Sequence, residues 1–186
     1  MSIYRLNYDY DNYPRIDVST NEDEDKLPEG KLSLTPNIEK LSYWVTLNGS
    51  LEYVGDASSE TPCPELSDWF SSLVLSRKAK DKIGDRLEKY GELLPLSIDG
   101  EERFYFNILN TSDAIDPFNT KRLEIDGIDF GIKQIVFLEH EVKDLFIFMT
   151  EYDGFSYLYC TDAFKDMIEG SGLSSGWTFH KNLRED

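Results

Sequence analysis

The chain has 186 residues, 40% of them hydrophobic and 13% aromatic, with 36 acidic and 19 basic residues for a net charge of -17. That much apolar material excludes a disordered chain over most of the length. The acid excess argues against nucleic acid and anionic membrane as partners, and it suits a basic protein partner or simple solubility.

The N-terminus, MSIYRLNYDYDNYPR, lacks the apolar core of a secretory signal. No run approaches the roughly 20 apolar residues that span a bilayer. The expectation is a cytoplasmic protein without a membrane partner. Cys63 and Cys160 are far apart and make neither a disulfide framework nor a zinc motif.

Positions 1–70 hold 14 acidic and 5 basic residues, a net of -9. Residues 1–62 therefore read as an acidic, tyrosine-rich lobe, and 63–186 as a second unit, with a break near Thr61-Pro62-Cys63-Pro64. The two can still pack as one body. Tyr4, Tyr8, Tyr10 and Tyr13 cluster among aspartates, either as an aromatic edge strand or as a docking surface. Glu22-Asp23-Glu24-Asp25 reads as an exposed acidic loop. Asn48-Gly49 separates YWVTL from SLEYV and predicts a hairpin turn, because these residues supply positive φ angles. A short helix is expected near Pro64 to Phe70.

Further on, Ser72 to Tyr90 predicts a strand, a Ser76 N-cap and a helix over 77–90, with apolar Ala79, Ile83, Leu87 and Tyr90 on one face and Gly91 as the stop. Asp99-Gly100 predicts a hairpin between LLPLSI and EERFYFNIL. The stretch FYFNILNTSDAIDPFNT then runs from a buried strand into turn formers: Asn107, Asn110, Asp113 and Asp116. Asp126-Gly127 and Asp153-Gly154 mark two more hairpins. Asp162 to Glu169 predicts a helix capped by Thr161 and ended by Gly170 or Gly172.

SLVLSRKAKDKI (72–83) echoes YLYCTDAFKDMI (157–168). Each is an apolar strand, a hydroxyl cap and a helix with Lys-Asp-x-Ile. The pair reads either as two common strand–helix units or as a repeat within one domain. The fold class is α+β, a mainly antiparallel sheet built from hairpins, with two or three helices and strand–helix units near 72–90 and 157–170.

Catalytic signals are sparse. His140 and His180 stand without further metal ligands at suitable spacing. A Gly-x-Ser-x-Gly elbow is absent. The glycine-rich run 170–176 follows a helix, whereas a phosphate site precedes one. Cys160, just before a helix, is either an activated thiol or a packed one. Asp113 and Asp116 could serve acid–base chemistry, but their spacing fits no calcium loop, and turn formation is the simpler role. No catalytic residue, cofactor or metal is expected.

The ordered elements LSDWF, LVLSRKAKDKI, LLPL, FYFNILNTSDAID and DLFIFMTEYDGFSYLYCTDAFKDMIEGSGLSSGWTF, from Leu66 to Phe179, resemble a bacterial polymorphic-toxin immunity protein family, formerly a domain of unknown function and named after a myxobacterial immunity protein. The resemblance covers about two-thirds of the chain. It implies no catalysis. It implies binding and neutralising a cognate toxin, the effector of a secretion or contact-dependent system that acts in the cytosol. The expected partner is a toxin with a basic surface, met by a monomer or homodimer. The expected contacts are Tyr8, Tyr10, Tyr13, Glu22, Asp23, Glu24, Asp25, Asp113 and Asp116. The alternatives are a small enzyme using Asp113 or Asp116 as acid or base, and a non-catalytic adaptor.

Overall fold

The computed structural model describes residues 1–18, 27 and 34–181. The acidic run Glu22–Asp25 lies outside the described residues. The chain is α+β, with mostly antiparallel sheets. In chain order the strands are β1 (Ile3–Tyr8), β2 (Arg15–Val18), β3 (Leu47–Glu52), β4 (Leu66–Trp69), β5 (Ser72–Ser76), β6 (Gly91–Ile98), β7 (Glu101–Ile108), β8 (Lys121–Ile125), β9 (Ile128–Gln134), β10 (Ile147–Phe148), β11 (Tyr159–Thr161) and β12 (Trp177–His180). The helices are α1 (Arg77–Leu87), α2 (Glu139–Val142) and α3 (Asp162–Gly170). Among the described residues no helix is long and apolar enough to cross a membrane.

Six strands form one sheet in the order β2-β3-β6-β7-β5-β4, and four form a second in the order β10-β11-β1-β12. β8 and β9 make a separate two-stranded ribbon. β1 sits inside the four-stranded sheet, while β2 and β3 extend the six-stranded one. Residues 1–62 thus contribute strands to both sheets.

The two-residue period of a strand decides which core each buried residue enters. Phe104, Phe106 and Ile108 of β7 and Leu6 and Tyr8 of β1 face one shared core, which also takes Ala79, Ile83 and Leu87 of α1 and Phe164, Met167 and Ile168 of α3. A second cluster covers the outer face of the six-stranded sheet, around Leu47, Trp69, Leu94, Leu96 and Tyr105. A third joins Ile3, Phe137, Val142, Phe148 and Tyr159.

The local signals meet mixed outcomes. Asp99-Gly100 turns β6 into β7 with φ of 49° and 82°, and Asp126-Gly127 turns β8 into β9 with 53° and 77°. Both are the left-handed pairs that a two-residue hairpin needs. Asn48-Gly49 is no turn. It lies inside β3, where Gly49 pairs with Val18 on one side and Ile98 on the other. A Cβ there would sit 2.5 Å from the Asp17 carbonyl oxygen and 2.9 Å from Ile98 Cδ1. The glycine serves close approach of neighbours, not a reversal.

Asp153-Gly154 belongs to a 3-10 turn in a longer connection from β10 to β11. The helix expected over Pro64–Phe70 is strand β4, and its hairpin to β5 turns on Phe70-Ser71 with φ of 50° and 56°. Helix α1 stops at Leu87, and Gly91 opens β6 instead of closing the helix.

The echo between 72–83 and 157–168 is topological. β5 and β6 run parallel, joined through α1, with β7 antiparallel between them. β11 and β12 run parallel, joined through α3, with β1 antiparallel between them. β4 flanks β5 as β10 flanks β11, antiparallel in both cases. The first unit is therefore β4-β5-α1-β6-β7. The second is β10-β11-α3-β12 completed by β1, its last strand displaced to the other end of the chain.

The registers agree. Ser76 faces Arg103 as Thr161 faces Ile3, and Glu92 faces Asn107 as Thr178 faces Asn7. Arg103 to Ile108 thus correspond to Ile3 to Tyr8, and Asn107 corresponds to Asn7.

Candidate functional site

β11 pairs with β1 only as far as Tyr159 opposite Arg5, with one further bond from Leu6 N to Leu158 O at 2.9 Å. Beyond that point a cavity of about 240 Å³ opens beside residues 6–8 of β1, lined among others by Asn7, Tyr8, Tyr10, Asp68, Tyr157 and Trp177. A second cavity of about 360 Å³ shares Tyr10 and Asp68 and reaches Arg15, Glu52 and Phe70. Asp68 is the carboxylate common to both.

Asp68 stands next to the end of β4, and the β4–β5 turn fixes its place. Phe70 and Ser71 adopt left-handed φ without glycine, which costs backbone strain in a bulky residue. The turn leaves Phe70 67% exposed and buries Asp68 to 5% exposure. The Tyr10 hydroxyl and the Ser71 backbone N–H donate to the Asp68 carboxylate. Burial pushes the Asp68 carboxyl up to about 6, against the lowering effect of those two donors. Among the described residues no lysine or arginine pairs with it.

Tyrosine and tryptophan rings build the walls. The Tyr8 ring meets Tyr10 at 5.1 Å and Trp177 at 5.2 Å, both edge-to-face, and lies 6.4 Å from Tyr13. Tyr8 is anchored by its hydroxyl to Pro14 O at 2.8 Å, and the Trp177 indole to Leu66 O at 3.1 Å. Gly176, at φ 80°, admits the Tyr8 ring, since a Cβ would lie 2.8 Å from Tyr8 Cε2. Burial raises the Tyr8 and Tyr10 hydroxyls well above their usual range, and the Asp68 carboxylate adds to both. Asn7 Oδ1 is buried without a hydrogen-bond partner.

In the other unit, Asn107 is fully buried and fully bonded. Its Oδ1 accepts from Lys40 Nζ at 2.8 Å. Its Nδ2 donates to Glu92 Oε2 at 2.7 Å and Ile38 O at 2.9 Å. Lys40 Nζ also reaches Thr35 O and Ile38 O, so three acceptors hold the ammonium. Burial lowers the Lys40 ammonium to about 8, partly offset by Glu92. This network fastens residues 34–45 over β6 and β7.

The sequence-expected contacts separate. Tyr8 and Tyr10 line the cavity, Tyr8 buried in the core and Tyr10 at the rim, while Tyr13 is not part of its lining and packs beside the Tyr8 ring. Asp113 and Asp116 are elsewhere and hold turns. Asp113 Oδ1 accepts from Thr150 Oγ1 at 2.8 Å and Glu151 N at 3.1 Å. Asp116 accepts from Phe118 N, Asn119 N and Asn119 Nδ2, and the Asn119 amide, first among these donors, holds its carboxyl below the usual range. The concave pocket and raised carboxyl that an acid–base role needs are found at Asp68, and Asp113 and Asp116 line neither of its two cavities. Cys160 is fully buried, and burial pushes its thiol well up, the reverse of activation.

Asp68 lies within LSDWF, but a helical reading of that stretch conceals a carboxylate held by Tyr10 and the Ser71 N–H at a hairpin turn. Asn7 carries no local signal at all. Comparison with protein-family models and with curated proteins finds no match for this chain.

Proposed function

We propose that this protein is a stoichiometric inhibitor, an immunity protein that binds a bacterial toxin with a basic surface and blocks it without chemistry. The observation that carries the reading is the pairing of a strongly acidic chain, net -17, with an aromatic cleft that ends on a buried carboxylate with no lysine or arginine paired to it among the described residues. The resemblance over Leu66–Phe179 supports it independently.

The physics of such an inhibitor follows from the charge. A net negative surface attracts a cationic enzyme over a Debye length and speeds encounter. Affinity comes from a few anchors. Phe70, on its strained turn, and Tyr10, at the cavity rim, are exposed aromatics placed beside Asp68.

The test is co-expression with the gene product encoded immediately upstream in a sensitive bacterium, followed by size-exclusion chromatography. Growth rescue with one-to-one co-elution is the expected result. Survival with no stable complex would overturn the inhibitor reading. It would favour a second one, in which the Asp68 carboxyl, near 6 and bonded to Tyr10 in a cleft, works as an acid or base on the damaged target.

A further inference from the structure

The β8–β9 ribbon carries an apolar surface that the rest of the chain leaves uncovered. Ile125 pairs with Ile128 at its tip. Leu123 and Phe130 lie two residues further along their strands and so share that side. All four are exposed: Leu123 by 37%, Ile125 by 50%, Ile128 by 61% and Phe130 by 57%. Glu124, between Leu123 and Ile125, takes the other side. The register then slips by one between Glu124 and Arg122. Such a bulge moves Ile132 to the opposite side of the ribbon, and Ile132 packs against the cluster of Ile135, Phe137 and Phe148. The base of the ribbon is thus held to the body, and the other side, wholly apolar near the tip, faces solvent.

A two-stranded ribbon is marginal in water unless a third strand or a packed face supports it. Among the described residues β8 and β9 pair only with each other. Contiguous exposed apolar groups of this kind mark interaction surfaces.

We propose that the apolar side of this ribbon is a self-association surface, on which a second copy of the chain packs ribbon against ribbon about a two-fold axis. The inhibitor reading is not needed for it.

Charge selects the occupant. Residues 121–134 hold three basic residues, Lys121, Arg122 and Lys133, and three acidic ones, Glu124, Asp126 and Asp129, so the ribbon is neutral and the net charge of -17 lies wholly in the rest of the chain. Two copies repel each other over that remainder, and the ribbon is where they approach at least cost. A basic partner is drawn to the acidic remainder and gains nothing from charge here. The surface is also self-complementary, as a two-fold contact requires, since Ile125 and Ile128 meet their own equivalents. Four side chains of this size offer on the order of 400 Å² per copy, about half of what each partner gives to a standard interface. The dimer is therefore weak, with a dissociation constant on the order of 10–100 μM. The ribbon lines neither cavity at Asp68, so the contact leaves that cleft outside it.

The experiment is sedimentation equilibrium of the full chain from about 5 to about 500 μM, at low and at high salt. A monomer–dimer equilibrium is expected. Salt should tighten it several-fold by screening the repulsion of two acidic chains, the reverse of its effect on a complex with a basic toxin. Ile125→Thr and Ile128→Thr keep a branched strand former at each position, so the ribbon is retained while its apolar side is broken. Each should weaken association about tenfold. Glu124→Gln, on the other side of the ribbon, should leave it unchanged or slightly tighter.

A chain that stays monomeric at the highest concentration and salt would overturn the proposal. So would a dimer indifferent to both threonine variants, or one weakened equally by Glu124→Gln, since either places the contact elsewhere. A monomeric wild type whose toxin complex is lost in the threonine variants would overturn it too, and would assign the ribbon to the toxin. A dimer that behaves as expected but binds no toxin keeps the proposal and sinks the inhibitor reading alone.

Discussion

At Asp68 burial and ionisation oppose each other. Its carboxyl is raised to about 6 by burial, while the Tyr10 hydroxyl and the Ser71 N–H act against the rise. Because the folded value lies above the unfolded one, the native state holds a proton that the unfolded chain has already released between about pH 4 and 6. The stabilisation from this group is therefore complete below about pH 4 and is lost as pH rises through 6. A rise of that size is worth roughly 3 kcal/mol.

The stability difference between the wild type and Asp68→Asn should shift against the wild type by up to about that amount between pH 4 and 7.5. Urea unfolding across a pH series measures it. A difference that stays flat with pH would mean that water reaches the carboxylate freely. At neutral pH the fold thus carries a charge it would be more stable without, which is a common trade at binding sites.

At the scale of elements, the two units provide a matched comparison. Ser76 and Thr161 are the N-caps of α1 and α3, and both are extended. Ser76 Oγ accepts from Ala79 N at 3.0 Å and donates to Glu65. Thr161 makes no side-chain cap bond, and the start of α3 is tied down through Asp162 instead, which accepts from Ser2 N at 2.8 Å and the Tyr4 hydroxyl at 3.0 Å. Ser76→Ala should cost about 1 kcal/mol. Thr161→Val, which keeps the branched shape, should change stability by less than about 0.5 kcal/mol. Chemical denaturation of both variants decides the matter, and equal costs would refute the unequal roles.

The same elements explain what the sequence could reveal. Asp99-Gly100 and Asp126-Gly127 are legible because the residues needed for positive φ are the residues present. Phe70-Ser71 makes an equivalent turn with neither glycine nor asparagine, so β4 reads as the start of a helix and the orientation of Asp68 is hidden. Asn48-Gly49 misleads in the opposite direction. Its glycine answers to Asp17 and Ile98, which are remote in sequence. The echo of 72–83 in 157–168 was visible, but the matching of Asn7 with Asn107 was not, because the strand that completes the second unit is encoded at the far end of the chain.

That displacement sets the question for the whole molecule. If the two units are one architecture with its order permuted, β12 and β1 should tolerate the short connection that β6 and β7 already have. The geometry allows it. His180 lies opposite Arg5 across β12 and β1, just as Ile98 lies opposite Glu101 beside the Asp99-Gly100 turn. A circular permutant joining the C-terminal segment to Met1 by a flexible linker, and opened between Ser59 and Glu60, would make the second unit contiguous. The new ends fall in an exposed loop, where only short local bonds such as Thr61 N to Ser58 O cross the cut.

All strand pairs and the shared core of α1 and α3 are kept, so the permutant should unfold in one cooperative transition, within about 2 kcal/mol of the parent. Urea melts followed by circular dichroism and by the fluorescence of single-tryptophan variants give the reading, because Trp177 reports on β12, Trp69 on β4 and Trp44 on the segment bonded to β6. Coincident transitions with both probes would establish that the order of the units is free while their pairing is fixed. Early loss of the Trp177 signal would mean that the connection between β3 and β4, which the cut removes, is needed to hold the four-stranded sheet. The pocket beside Asn7, which depends on β1 lying next to β12, would then depend on that connection as well.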